Sequence, residues 1–104
     1  MSVPPDPPAK LQADSDLNRV NFLKTELALC LTFSTIAARS YETGNRESAE
    51  RSMANSEKAY ETVVRFLADS KHSKHLTAEE IQDLTAELER LREKLDGLAQ
   101  QFKR

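Results

Sequence analysis

Ile81, Leu84, Leu88, Leu91, Leu95, Leu98 and Phe102 follow one another at intervals of three and four without a break, a spacing that no strand can use. On a strand, side chains alternate between faces, so residues three apart fall on opposite sides. On a helix of 3.6 residues per turn all seven share one face. The segment also marks its own start. Thr77 is a good N-cap, Glu80 three residues later completes a capping box, and Leu76 and Ile81 occupy the two positions of a hydrophobic staple. Glu79, Glu80, Asp83, Glu87 and Glu89 crowd the first half while Lys103 and Arg104 close it, an order that agrees with the helix dipole. A helix over about 78–103 is expected, with Gly97 weakening its last turns by about 1 kcal/mol.

Two further segments carry the same period. From about Asp16, the residues Val20, Leu23, Leu27, Cys30, Ser34, Ala37 and Tyr41 form one seam, and Phe22, Leu29, Phe33 and Ile36 a second stripe beside it. Together they make an apolar face broad enough for a helix packed against two neighbours. Between Arg46 and about Ser70 a seam of Ala49, Met53, Ser56, Tyr60, Val63 and Leu67 runs from small residues to large ones. Small residues let two backbones approach closely, so this helix should lie tightest against the first near their junction. Three helices of similar length, about 16–43, 46–70 and 78–103, predict an all-α fold: an up-down-up antiparallel three-helix bundle with left-handed, coiled-coil-like packing.

The first two helices meet at YETGNRESAE, residues 41–50. With the first helix ending near Thr43, Gly44 falls at C′, where a left-handed backbone costs glycine little, and Asn45 can cap the next helix. An anion-binding nest would want several glycines and a lysine, and the stretch has neither. Tyr41, Gly44, Asn45, Glu47 and Ala49 resemble the turn between the two helices of a tetratricopeptide repeat, and similarly that of microtubule-interacting-and-trafficking domains. The resemblance spans about twenty residues, 41–59, and implies a helical hairpin of the kind used for protein binding. It departs from the repeat in having no second copy, much longer helices, and Ser56 where alanine is usual. The whole-chain pattern is also similar to that of small bacterial helical proteins, a likeness that implies no activity.

Ahead of the first helix, Pro4, Pro5, Pro7 and Pro8 remove backbone donors, so residues 1–13 read as a disordered leader before a single domain over 14–104. Apolar residues make up 38% of the chain and charged ones 31%, the profile of a helical protein with charged solvent faces. Fifteen basic residues against seventeen acidic leave no global field for nucleic acid or an anionic membrane. The longest apolar concentration, LALCLTF at 27–33, is far short of the ~20 residues that span a bilayer. A single cysteine and no apolar secretory leader point to a reducing cytoplasm.

Chemistry-bearing residues are few. Cys30 sits on the apolar seam, where a thiol behaves as a small hydrophobe. His72 and His75 make an H-x-x-H pair, but Lys71 and Lys74 beside them repel a cation, so a solvated loop is expected rather than a metal site. Arg39, Arg46, Arg51 and Arg65 interleave with Glu42, Glu47, Glu50, Glu57 and Glu61, the pattern of a solvated helix face rather than a nucleic-acid stripe. No nucleophile stands with a base, and no cofactor is implied. The expectation is therefore a non-catalytic interaction or self-association module. Its partner would be a second copy or another protein's helix, and its surface the seam Leu84, Leu88, Leu91, Leu95, Leu98 or leftover apolar surface at Phe22 and Leu31. With Ile81, Leu88, Leu95 and Phe102 at heptad a, Glu87 and Arg92 become candidates for an ion pair between chains. The alternative is a small-ligand domain with a pocket near Val63, Phe66 and Leu67 beside Phe22 and Leu23.

Overall fold

The computed structural model describes residues 8–103, with side chains from residue 17 onward. All regular structure among them is helical: α1 (Pro8–Glu42), α2 (Arg46–Ala68), the one-turn α3 (Ser70–Ser73) and α4 (Ala78–Phe102). The long helices α1, α2 and α4 pack on one another as an up-down-up bundle, with the end of α4 returning to the α1–α2 turn.

The core is the set of seams in the sequence. Val20, Leu23, Leu27 and Cys30 of α1 meet Ala59 and Val63 of α2, and Leu84, Leu88, Leu91 and Leu95 of α4 close over them with Leu76. Towards the α1–α2 turn the buried residues shrink to Ser34, Ala37, Ala49, Ser52 and Ser56. This part of the interface is a close contact of small side chains with its own hydrogen bonds. Ser56 Oγ donates to the Cys30 carbonyl at 2.6 Å, which leaves the Cys30 thiol to donate to Ser56 Oγ across 3.3 Å. Serine at position 56 therefore has a partner that alanine would lack.

The turn has the expected construction. Gly44 has φ +82°, its N–H donates to the Tyr41 carbonyl, and the Asn45 N–H reaches the Ser40 carbonyl at 2.8 Å. These are the two bonds of a Schellman motif. The Asn45 side chain then accepts from Ser48 N at 3.1 Å, capping α2. A Cβ on Gly44 would meet nothing within 4 Å, so the penalty for substitution is backbone strain alone. Gly44→Ala should lower stability by about 1–2 kcal/mol. Gly97, equally unobstructed but inside α4, should give the opposite sign, with Gly97→Ala raising stability by about 0.5–1 kcal/mol. Paired chemical denaturation of the two variants checks both signs.

At the start of α4 the capping box is complete: Glu80 N donates to Thr77 Oγ1 at 3.0 Å and Thr77 N donates to Glu80 Oε1 at 2.8 Å. Its far end is held by the hairpin. Tyr41 Oη donates to the Gln101 carbonyl at 2.8 Å, Arg46 donates to the Phe102 carbonyl at 2.9 Å, and the Tyr41 and Phe102 rings stack. Two carbonyls left open at a helix end are thereby satisfied, with a cation near the negative pole of the dipole.

Three features differ from the sequence reading. First, α1 begins at Pro8 rather than near Asp16, so residues 8–13 are helical and the helices are unequal. Proline is tolerated as the first helical residue, where its missing N–H has no intrahelical acceptor in any case. The remainder of the proline-rich leader lies outside the described residues. Second, α2 ends at Ala68 and the connection to α4 contains α3 instead of an unstructured loop. The Asp69 side chain caps α3 by accepting from Lys71 N at 2.9 Å. Third, α1 packs on both α2 and α4 as expected, but Phe22, Leu29 and Ile36 of its second stripe stay about two-fifths exposed.

Candidate functional surface

The leucine seam lies inside the single-chain core. Leu84, Leu88, Leu91, Leu95 and Leu98 are all buried within this chain, Leu95 completely. The hairpin of α1 and α2 offers a groove, and a third amphipathic helix of matching length fills it before any partner can. Glu87 and Arg92, the candidates for an ion pair between chains, both have partners within this chain. Glu87 pairs with Arg90 on its own helix, and Arg92 is committed inside the bundle. Its Nη1 and Nη2 donate to the two Glu57 oxygens at 2.8 and 2.7 Å, its Nε donates to Asp96 at 3.0 Å, and its guanidinium lies over the Tyr60 ring. The Glu57 hydrogen bonds hold Arg92 still more firmly protonated than usual. This bidentate pair ties α4 to α2. Sequence spacing could not reveal it, because 35 residues separate the partners.

The surface left open lies on α1. Phe22, Leu29 and Ile36 are each about two-fifths exposed and stand seven residues apart, hence nearly in line along the helix; Phe33 beside them is half-buried. Charge thins out along the same length. Between Lys24 and Arg39 the only charged residue is Glu26, whereas the outward faces of α2 and α4 carry Glu47, Glu50, Arg51, Glu61, Asp83, Glu89 and Glu93. Next to the stripe a shallow trough runs between α1 and α2, lined by Leu29, Phe33, Asn55 and Thr62 and by the oppositely charged Glu26 and Lys58. No α4 residue lines it. Leu17, Leu31 and Val64 are also exposed but lie apart from the stripe.

At the end of the hairpin away from Gly44, Phe66 stacks on His72 with centroids 3.9 Å apart and leans against Phe22 at 5.4 Å. His72 is thus packed against the aromatic pair, with Nδ1 shut off from solvent and unpartnered, in place of the solvated histidine expected. Beside this ladder, where a ligand pocket was expected, there is an open hollow lined by Asn18, Arg19, Phe22 and Phe66. A small-molecule site encloses most of its ligand, and this hollow encloses little. No group of three or more histidine, cysteine or acidic side chains converges among the described residues.

Burial pushes the Cys30 thiol above its usual range. A thiol titrating higher in the folded chain than in the unfolded one adds nothing to stability below about pH 8.5, and costs stability as pH rises beyond it. Its reaction with a disulfide reagent at neutral pH should therefore follow global opening and accelerate sharply once denaturant unfolds the chain. Rapid labelling of the native protein would contradict this burial.

Leu17–Glu42 is long and apolar enough, by length and composition, to cross a membrane; a third of its most apolar window is buried inside the fold. Core helices of bundles share that property. Comparison with protein-family models, curated proteins and solved structures yields no match.

Proposed function

We propose that this protein is a non-catalytic interaction module, a helical bundle that receives a partner helix along the outer face of α1. The observation that carries this reading is the aligned exposure of Phe22, Leu29 and Ile36 on a stretch almost without charge. A helix face that remains in water has no use for three large apolar side chains in register, and covering them is favourable by about 25 cal/mol per Å² of apolar area removed from water. The trough beside them has the form of a bundle position awaiting a further helix, and helix-in-groove recognition uses anchors at this kind of spacing. The charged outward faces of α2 and α4 favour a protein partner over lipid, because inserting α1 into a bilayer would require stripping both helices from it.

Replacing Leu29 in cells with a photoreactive diazirine residue tests the reading. Irradiation should join position 29 to one defined polypeptide, identified by mass spectrometry. Adducts with lipid, or none, would overturn it.

A further inference from the structure

We infer that the helix received by α1 is the α1 of a second copy of this chain, packed antiparallel about Leu29. This inference rests on the interaction reading and specifies its partner.

Charge supplies the first argument. An uncharged apolar face is matched by another uncharged face, and on this chain the long outward faces of α2 and α4 are charged, whereas that of α1 between Leu27 and Ala38 has no charge at all. Symmetry supplies the second. Phe22, Leu29 and Ile36 are evenly spaced by seven, so an antiparallel two-fold places Leu29 against its own image and Phe22 against the partner's Ile36. Phe33 then comes opposite the small Thr25. The nearest like charges, Arg19 and Arg39, fall on opposite flanks of the stripe. A two-fold faces each flank to its own image, which keeps these arginines apart. Glu26 and Lys58, of opposite charge, line the same trough.

Area supplies the third. The stripe from Phe22 to Ile36 runs about 21 Å along the helix. With the flank of α2 one interhelical spacing away, the face is about 20 Å wide. The result is on the order of 400 Å² per copy, the size of a weak, reversible association that dilution takes apart. Assembly would complete a layer of two α1 and two α2 helices, with each α4 on the outside.

Three single variants, Leu29→Cys, Phe22→Cys and Ile36→Cys, treated separately with a short bis-maleimide, test the register. All three positions are exposed in the isolated chain, so the fold tolerates them, and the buried Cys30 leaves the wild-type chain as the uncrosslinked control. The expected result is a covalent dimer from Leu29→Cys alone, little from either other variant alone, and a dimer from the equimolar mixture of Phe22→Cys and Ile36→Cys. Dimers from each of the three alone would overturn the antiparallel register in favour of a parallel one. No dimer in any reaction would overturn the second copy as occupant. The photo-crosslinking result at position 29 separates that outcome from failure of the interaction reading itself, since it would still name a different polypeptide.

Discussion

Leu95→Ala lowers the stability of the folded chain by about 3–4 kcal/mol, enough to remove a large part of the ~5–15 kcal/mol that holds a domain together. Leu95 is completely buried where α4 closes over Leu23, Cys30 and Val63. Truncation removes the transfer energy of its side chain and leaves a cavity that stiff, well-packed helices cannot collapse to fill. Equilibrium urea denaturation followed by circular dichroism measures the loss. A loss below about 1 kcal/mol would mean that the leucine seam is not the core of a single chain. It would return Leu84, Leu88, Leu91, Leu95 and Leu98 to consideration as a surface.

The second large effect falls on association and spares the fold. Leu29→Asp alters a side chain that is 39% exposed, so the monomer's own stability should fall by only about 1 kcal/mol. In the proposed dimer the same change sets two carboxylates against each other at the two-fold, in a surface cleared of water. Like charges so placed cost several kcal/mol, which corresponds to a loss of affinity of more than about a hundredfold. Sedimentation equilibrium measures the association constant and a thermal melt the fold. Opposite behaviour of Leu95→Ala and Leu29→Asp in these two assays is the signature of one buried seam and one interfacial stripe. Parallel behaviour would merge them.

The helical seams could be read from sequence with little ambiguity because burial in a bundle follows the 3.6-residue period. Val20, Leu23, Leu27, Cys30, Ser34 and Ala37 are buried as the spacing implies, and the Thr77–Glu80 box and the Gly44–Asn45 turn form with the expected bonds. These features depend on neighbours three or four residues away, so local pattern carries them. Which of several apolar stripes remains outside is a different kind of question. It depends on which face of the α1–α2 hairpin α4 chooses, and both faces are apolar in sequence. The leucine seam looked like surplus for want of that choice, whereas the open surface turned out to be the second stripe of α1. Arg92 shows the same limit. Its partner Glu57 lies on another helix, so no periodicity points to it. The stack of His72 on Phe66 depends on α3 turning the chain back across the end of α2, a course that a run of lysine, histidine and serine does not signal.

The claim on which the account turns is that the outer face of α1 drives association, and light scattering of the wild-type and Leu29→Asp chains over a hundredfold dilution tests it most directly. The wild-type mass should be twice that of the 11.7 kDa chain at the upper concentrations, and Leu29→Asp should keep the single-chain mass throughout. Equal masses for the two proteins at every concentration would contradict it.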